Sequence, residues 1–454
     1  MMKVCKFGGS SLSDAERIGA VCDIVASDSD RRIVVVSAPG KRHKTDRKIT
    51  DMLIQCAELT LAGESAGAPL KAILERFATM QKNLNLPAEA LDEVELDLKT
   101  RLAGDTSHKA RYLDALKAAG EDNCARLVTK VLNQRGLDAR YLNPKDAGLL
   151  LSDEYGNAQL LPESYDNLAV LREAKGITVF PGFFGYTRDG GIVTFPRGGS
   201  DITGSILAAA VKADVYENFT DVDSVCAIDP DLAPEVQPIP HLTYREMREL
   251  SYAGFGVLHD EAIIPAVQAG IPICIKNTQS PDAPGTMITL SREDVTGHPV
   301  GIAYTVGFMS ILICKYLMNR EIGFGRKVLQ IIEEEGLPFE HMPSGIDTIS
   351  VIVRESDVDS ATERKIVERL KDELGVADCI IERGLALIMV AGEGMVHRVG
   401  TAAIATRALA DVGVNIEMLD QGASEISIMF GVKGSDAKKA VRSLYKAFFG
   451  DVAS

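Results

Sequence analysis

The chain has 454 residues, of which 46% are hydrophobic and 25% are charged. This ordinary globular composition excludes disorder over most of the chain, and the length predicts about three domains. Its net charge of −15 argues against nucleic acid or an anionic membrane as a partner, and no apolar run approaches the roughly 20 residues of a membrane span. The eight cysteines are scattered without a CxxC pair and the chain starts at once with a strand-like run, so we expect a cytoplasmic protein with reduced thiols.

The first element is a short apolar run that ends in Val4-Cys5-Lys6-Phe7-Gly8-Gly9-Ser10-Ser11, followed by a predicted helix from Asp14 to Ala26. Glycines let the backbone approach a ligand closely, and N–H groups at a helix start suit a phosphate. Lys6 adds a positive charge to the same loop. By itself this pattern leaves two interpretations open, an ordinary turn between a strand and a helix or a phosphate-binding loop.

A continuous β-branched run, Ile33 to Val36, predicts a strand that is buried on both faces. It ends in a turn at Ser37 to Gly40, and a basic loop follows at residues 41–48, which could be a solvated loop or a flap over an anionic substrate. Residues 49–119 have a helical pattern that suggests no chemistry. Glu121 precedes a helix predicted over Cys124 to Gln134, where a carboxylate could simply stabilise the helix dipole.

Further strands are predicted at 139–142, 177–180, 213–222 and 272–277, and helices at 205–211, 247–254 and 260–269. Strands that alternate with helices predict a mostly parallel sheet covered on both faces. The second glycine-rich segment, Thr194 to Gly204, contains Arg197-Gly198-Gly199-Ser200-Asp201. Because ligands bind at the carboxyl ends of such sheets, we expect every glycine-rich loop to follow a strand of this sheet.

After Thr286 the chain repeats itself at an offset of 77 residues. The matching pairs are Ile311/Ile388, Gly323/Gly400, Ile332/Leu409, Gly336/Gly413, Glu340/Glu417, Gly345/Gly422 and Ser350/Ser427. Shared spacing of apolar residues and glycines over a whole unit predicts two copies of one module. We therefore expect a catalytic domain over 1–290 and modules over 300–378 and 379–454, with a strand at 300–306 completing the second module.

Familiar catalytic patterns are absent: the sequence has no GxxxxGK[ST], GxGxxG, HExxH or GxSxG, and no paired Cys/His set that would bind a metal. Two glycine-rich loops with a Lys and an Arg suit a doubly anionic complex, and phosphoryl transfer needs positioning and charge neutralisation more than covalent chemistry. A carboxylate acceptor is already ionised at neutral pH, so such a transfer requires no general base.

At this point the whole chain resembles an aspartate kinase of the amino-acid kinase superfamily with tandem ACT domains. The motifs that carry the resemblance are Lys6 to Ser11, Val36-Ser37-Ala38, Arg197 to Asp201, Thr220-Asp221-Val222, Asp229-Pro230 and Gln421 to Ser427. It implies an α/β fold, with an amino-acid-kinase-like mostly parallel sheet sandwiched by helices and then two ferredoxin-like βαββαβ ACT modules.

The resemblance also implies roles for particular residues. Lys6 would bind the transferring phosphoryl group, held in place by Asp201, and these two are the catalytic candidates. Lys6, Gly8, Gly9, Ser10, Thr220 and Asp221 would contact ATP, whose oxygens Mg²⁺ would bridge. The L-aspartate substrate would be bound by Ser37, Thr50, Glu121, Phe183, Arg197 and Ser200, with Arg197 on the α-carboxylate and Glu121 on the ammonium group.

The ACT modules imply feedback regulation by an amino acid, commonly lysine or threonine, and a homodimer or higher homo-oligomer. The candidate effector contacts are Met318, Glu340, Ser344 and Asn415. The sequence departs from many relatives at Ser224, Cys226 and Gly256, beside the nucleotide, and the basic loop could supply compensating charge. A kinase for glutamate or N-acetylglutamate and an inactive amino-acid sensor are the alternatives. The product, 4-phospho-L-aspartate, would begin lysine, threonine and methionine biosynthesis.

Overall fold

The computed structural model describes residues 1–450 except 197, 234, 257, 259, 294 and 296, so Arg197 lies outside the described residues. The chain divides into two compact units. The first contains residues 1–225, 238–248 and 256–292, and the second contains residues 226–237, 249–255 and 293 onward.

The strands up to residue 292 are β1 (Lys3–Phe7), β2 (Arg31–Val36), β3 (Ala139–Tyr141), β4 (Ile177–Pro181), β5 (Phe184–Tyr186), β6 (Ile192–Thr194), β7 (Val215–Thr220), β8 (His241–Thr243), β9 (Ile273–Asn277) and β10 (Thr286–Thr289). The helices over the same stretch are α1 (Ala15–Ala26), α2 (Ile49–Leu61), α3 (Gly67–Asn83), α4 (Glu89–Leu102), α5 (Lys109–Lys117), α6 (Ala119–Gln134), α7 (Pro144–Ala147), α8 (Glu163–Ala169), α9 (Gly199–Ala210), α10 (Tyr244–Tyr252) and α11 (Ile264–Ala269).

The main sheet has the strand order β3-β4-β2-β1-β7-β9-β10-β8 and is parallel except where β10 pairs antiparallel with β9. The last four residues of β2 are completely buried, as a continuous β-branched run in the middle of a parallel sheet requires. This arrangement confirms the predicted α/β class. The central strands β2, β1 and β7 end at the same edge, where the loops that carry Ser37, Gly8 and Thr220 begin.

One expectation about the glycine-rich loops is wrong. The segment around Gly198 does not follow a strand of the main sheet, because the preceding strand, β6, pairs only with β5 in a small separate hairpin among the described residues. It still reaches the carboxyl edge of the sheet, since a Cβ placed on Gly182, just after β4, would lie 2.7 Å from Ser200 Oγ. The loop therefore arrives at the site from beside the sheet.

Two helices begin earlier than the sequence pattern predicts. Helix α6 starts at Ala119 rather than Cys124, and α9 starts at Gly199 rather than Ser205. Both starts are rich in glycine and polar residues, which resemble a loop in sequence but form the first helical turn here. Glu121, Ser200 and Asp201 consequently lie within these first turns.

The strands of the second unit are β11 (Gly301–Cys314), β12 (Thr348–Arg354), β13 (Asp378–Ala391), β14 (Met418–Asp420) and β15 (Ser427–Lys433). Its helices are α12 (Phe324–Glu334), α13 (Ser360–Leu374), α14 (Thr401–Asp411) and α15 (Ala437–Phe449). All five strands form one sheet of order β12-β11-β13-β15-β14. Strand β11 pairs with β13 over almost its whole length, and Ala303 lies opposite Met389, in the half of β13 that also pairs with β15.

The repeat in the sequence is also a repeat in backbone geometry. Gly323 and Gly400 each precede a helix with a left-handed backbone, at φ of 77° and 97°. Gly336 and Gly413 follow the same two helices with φ of 73° and 63°. These glycines match at the offset of 77 because both modules need the left-handed region, which other residues rarely adopt, at equivalent turns.

Among the residues that the structure describes, no helix is long and apolar enough to cross a membrane.

Candidate active site

Lys6 is the buried cation at the centre of the candidate site. It lies in β1, the strand between β2 and β7, with a relative exposure of 7%. Its ammonium Nζ is 2.6 Å from Asp201 Oδ1, and Asp201 comes from the first turn of α9. The pair joins the two glycine-rich segments that the sequence singles out, although they are about 190 residues apart in the chain.

The Lys6–Asp201 pair has a third member that sequence reasoning missed. Asn218 lies directly opposite Lys6 in the parallel pairing of β1 and β7. Its Nδ2 donates to Asp201 Oδ1 at 2.7 Å, and its Oδ1 is 3.5 Å from Lys6 Nζ. Tyr216 OH donates to the Asp201 carbonyl at 3.1 Å. Polar residues at alternate positions of a buried strand were the available signal.

The two glycines after β1 differ in the atoms that surround them. Gly9 contacts backbone directly: a Cβ there would lie 2.8 Å from the Ala38 carbonyl oxygen and 3.3 Å from Gly40 Cα. Gly9 also accepts a hydrogen bond from the Gly40 amide at 2.7 Å. A Cβ on Gly8, by contrast, would meet only Lys6 Nζ and the Phe219 carbonyl oxygen, both beyond 3.5 Å. A Cβ at Gly8 would therefore fit in ordinary van der Waals contact with the Lys6 ammonium, whereas Gly9 holds the β1 and β2 loops together.

Glu121 is a completely buried carboxyl group in the first turn of α6. Burial raises its pKa to about 8, although hydrogen bonds from the amides of Ala38 and of Glu121 itself favour the ionised form. Its Oε2 has no hydrogen-bond partner in the described part of the chain. Glu121 therefore differs from an ordinary exposed capping carboxylate, because it is buried and one of its oxygens is unpartnered among the described residues.

Backbone contacts bring the predicted substrate-binding residues to the same edge of the sheet. Ser37 donates its amide to the Phe7 carbonyl, and Gly182 donates its amide to the Val36 carbonyl. Ser200 packs on Gly182. Phe183 has a φ of 75°, an uncommon backbone for an aromatic residue, held by a hydrogen bond from its amide to Thr203 Oγ1. Thr50 is in the first turn of α2, partly exposed.

The predicted nucleotide-binding residues lie along the neighbouring loops. Thr220 ends β7 next to Phe219, whose carbonyl accepts from the Gly8 amide at 3.2 Å, and Asp221 is exposed. Thr278, which the sequence analysis missed, links these loops: its Oγ1 is 2.6 Å from Ser11 Oγ and donates to the Thr220 carbonyl. Ser10 is partly exposed beside Gly9.

The four candidate effector residues of the second unit have different surroundings. Met318 packs in the core of the first module. Glu340 accepts from Tyr252 OH and lies 3.0 Å from Arg354 Nε. Ser344 lines a cavity of 240 Å³, and Asn415 donates to Glu417, which lines the same cavity. Ser344 and Asn415 therefore lie near one cavity, whereas Met318 packs in the core and Glu340 pairs with Tyr252 and Arg354.

Comparison with known proteins places this geometry in context. The Amino acid kinase family model matches residues 1–277, and an ACT domain model matches residues 388–448. Aspartokinase 3 of Bacillus subtilis (strain 168) is 54% identical over 451 residues, which cover 99% of each chain. The crystal structure of the Clostridium acetobutylicum aspartate kinase is similar with a TM-score of 0.84 and 36% identity, covering 98% of this chain and 99% of that one. Escherichia coli aspartokinase III, solved with aspartate and ADP, shares the fold at a TM-score of 0.80 and 24% identity, over 99% of this chain and 100% of that one.

The two glycines should respond oppositely to one added methyl group. We expect Gly9→Ala to lower the free energy of unfolding of the first unit by about 1–3 kcal/mol, because its Cβ would overlap the Ala38 carbonyl. Gly8→Ala should change it by less than about 0.5 kcal/mol, because Gly8 has an ordinary φ of −71° and an added Cβ would make only ordinary van der Waals contacts. Urea denaturation measures the unfolding free energy of both variants. Equal destabilisation by the two substitutions would contradict the close contact inferred at Gly9 alone.

The buried Glu121 carboxyl should make stability depend on pH in a defined direction. Its folded pKa of about 8 exceeds the ordinary value of 4.5, so between these values the folded chain holds a proton that the unfolded chain has lost. Stability therefore falls as pH rises through this window. We expect the stability advantage of Glu121→Gln over wild type to grow by up to about 1.4 kcal/mol per pH unit between pH 5 and 8.

Glu89→Gln is the matched control, because Glu89 is also in the first turn of a helix but is exposed. Its difference from wild type should stay flat with pH. Thermal midpoints measured across the same pH range test both variants, and parallel curves for Glu121→Gln and wild type would refute the buried, protonated carboxyl.

Proposed function

The chain belongs to the amino acid kinase family, among its aspartokinases, and we propose that the site described above transfers the terminal phosphoryl group of ATP to the side-chain carboxylate of L-aspartate. The products are ADP and 4-phospho-L-aspartate. The observation that carries the assignment to this site is the buried Lys6 ammonium, which Asp201 holds in place next to the backbone of Gly8. Because Gly8 has no side chain, a phosphate can approach the backbone beside this ammonium.

Each step of the transfer has a supporting group in the chain. The aspartate carboxylate is ionised at neutral pH, so its oxygen attacks the γ-phosphorus without a general base. The bond from that phosphorus to the β,γ-bridging oxygen breaks, and ADP leaves with the electron pair. Lys6 neutralises the charge on the transferring group, while Asp201 and Asn218 fix the position of its ammonium. Mg²⁺ bound to the ATP oxygens would neutralise the remaining phosphate charge.

The nucleotide is assigned to the loops that follow β1 and β7. Gly8 leaves room next to the Lys6 ammonium, and Ser10, Thr220 and the exposed Asp221 border the same edge of the sheet. Gly9 contributes to nucleotide binding only indirectly, since it contacts the backbone of the neighbouring loop. The departures at Ser224, Cys226 and Gly256 follow this region in sequence, and a Cβ on Gly256 would meet nothing within 4 Å.

Aspartate is assigned to the space between the β2 turn and the start of α6. The unpartnered Oε2 of Glu121 suits the substrate ammonium, and Ser37, Thr50 and Ser200 can donate hydroxyl hydrogen bonds to its carboxylates. Phe183 would wall the pocket. Arg197 would bind the α-carboxylate, a role that rests on sequence resemblance because this residue lies outside the described part of the chain. The intact Lys6–Asp201 pair disfavours an inactive sensor.

Regulation is assigned to the ACT modules. An amino acid such as lysine or threonine would bind the cavity of 240 Å³ that Ser344 and Glu417 line, with Asn415 orienting Glu417. A homodimer or higher homo-oligomer formed through these modules, in the cytoplasm, is part of the same proposal. Regulation requires that the effector bind one state of the enzyme more tightly than another.

A hydroxamate assay with ATP, Mg²⁺ and either aspartate or glutamate tests the activity and the acceptor together. We expect aspartyl hydroxamate with the wild type, and a loss of about 10³-fold or more in Lys6→Met because the phosphoryl charge is left uncompensated. Lys3→Met is the control, since Lys3 lies at the opposite end of β1 and pairs with Asp28. No aspartyl hydroxamate from the wild type, or near-normal turnover by Lys6→Met, would overturn the proposal.

The buried Glu121 also predicts how aspartate binding depends on pH. The carboxyl is protonated in the free enzyme below its pKa of about 8, and the substrate ammonium requires the ionised form. We therefore expect kcat/KM for aspartate to rise by up to about tenfold per pH unit between pH 6 and 8 and then level off. Calorimetry in buffers of different ionisation enthalpy should detect release of close to one proton per bound aspartate near pH 7.

Glu121→Gln should remove both the pH slope and the proton release while leaving the KM for ATP within about threefold of wild type. An unchanged slope in this variant would assign the titration to another group.

A further inference from the structure

Arg76 is a buried guanidinium in the helical stretch where the sequence suggested no chemistry. It lies in α3 with a relative exposure of 4%. Its Nη2 donates to the carbonyls of Ser13, at 2.9 Å, and Gly40, and its Nη1 donates to the Arg47 carbonyl at 2.8 Å. One side chain thus satisfies carbonyls in three separate loops.

These carbonyls belong to the loops that border the candidate active site. Ser13 ends the segment that starts at Gly8, Gly40 ends the turn that starts at Ser37, and Arg47 closes the basic loop just before Thr50. Under the proposed function, the first segment contacts the nucleotide, the turn at Ser37 contacts aspartate, and the basic loop leads into Thr50, which also contacts aspartate. Arg76 bonds to the backbone of both sides.

The loop after β1 and the turn after β2 are in close backbone contact. The Gly40 amide donates to the Gly9 carbonyl at 2.7 Å, and a Cβ on Gly40 would lie 2.5 Å from the Gly9 carbonyl carbon. The carbonyl of the same residue, Gly40, accepts a hydrogen bond from Arg76. A guanidinium presents its donors in a rigid planar fork, so it fixes both acceptors relative to each other, which a flexible ammonium cannot do.

Arg76 also sets the base of the basic loop. Its Nη1 is 3.6 Å from Asp46 Oδ2, and Asp46 accepts two hydrogen bonds from the Arg42 guanidinium. Arg42 is therefore committed within the loop, whereas Lys41 and Lys44 are exposed. The loop is closed upon itself and attached to α3 through Arg76.

We propose that Arg76 is a positioning residue for phosphoryl transfer: its guanidinium fixes the spacing between the loop after β1 and the turn after β2, and thereby the spacing between ATP and aspartate. This inference rests on the proposed function. Since a misplacement of about 1 Å between reacting groups can cost 10²-fold in rate, the effect should appear in turnover more than in binding.

The test compares Arg76→Lys with Arg31→Lys. Arg31 is a matched control, because it is also buried, at 7% exposure, and donates to the Ile24 carbonyl and to Glu217, but it lies at the amino end of β2, away from the site. We expect both variants to lose thermal stability. Only Arg76→Lys should lose kcat, by about 10-fold to 100-fold, with both KM values within about threefold of wild type.

Wild-type kcat in Arg76→Lys, or an equal loss of kcat in Arg31→Lys, would overturn the inference and leave Arg76 a purely structural residue. Partial recovery of kcat in Arg76→Ala on adding guanidinium ion, but not methylammonium, would support it.

Hydrogen–deuterium exchange separates this inference from the proposed function, because it needs no turnover. Faster exchange at residues 9–13 and 40–48 in Arg76→Lys would support the proposed role of Arg76 in holding these loops, and unchanged exchange would refute it. A wild type that forms no aspartyl hydroxamate would refute the proposed function alone.

Discussion

The candidate site of the first unit depends on a buried positive charge in a central strand. Lys6 extends from a central strand of a parallel sheet whose neighbouring positions, Cys5 and Phe7, are completely buried. An isolated ammonium in such a place would cost several kcal/mol in lost hydration. Asp201 and Asn218 compensate it, and both must come from elements that follow the strand by about 200 residues. The fold has to bring α9 and β7 against β1 before the charge is tolerable.

The same charge explains why the glycine-rich segments converge. Asp201 compensates Lys6 only if the first turn of α9 reaches the carboxyl edge of the sheet, and its route runs through close contacts at Gly182 and Gly199. A Cβ on Gly199 would lie 2.5 Å from the Phe183 ring. Small residues are thus required by backbone and side-chain contact along this route. At Gly8, by contrast, an added Cβ would make only ordinary contacts, with the Lys6 ammonium and the Phe219 carbonyl.

Most of the fold follows from local patterns in the sequence, whereas the roles of the site residues were predicted from the resemblance of their motifs to a known family. Buried β-branched runs predict the central strands, and the spacing of Lys6, Gly8 and Gly9 predicts the first loop. Asn218 and Thr278 could not be found that way, because only strand pairing and loop contacts place them beside Lys6 and Ser11. The starts of α6 and α9 were missed since their polar, glycine-containing first turns have no apolar period.

The tandem modules show how far a repeated sequence predicts a repeated role. Backbone geometry is shared, since paired glycines need the same left-handed turns. Side-chain use is not: Glu340 and Glu417 match at the offset of 77, yet Glu340 binds Tyr252 and Arg354, whereas Glu417 lines the cavity and accepts from Asn415. The neighbours differ both outside and inside the repeat: Tyr252 belongs to a segment that precedes both modules, and the offset of 77 matches Arg354 with Gly431 and Asn415 with Pro338. The repeat therefore predicts shared backbone turns better than shared side-chain contacts.

Glu121 differs from Lys6 in that the protein does not fully satisfy its buried polar group. Lys6 is compensated by the protein itself, but the Glu121 carboxyl is buried with one oxygen unpartnered in the described structure, and it remains protonated at neutral pH. A neutral residue would be more stable there. Under the proposed function, the cationic substrate converts this carboxyl to the ionised form in a place where water does not compete, and the pair is then stronger than it would be at the surface. Part of the binding free energy would then be used to remove the proton. Glu121→Gln, which we expect to stabilise the free enzyme, would therefore also remove the group proposed to bind the substrate ammonium.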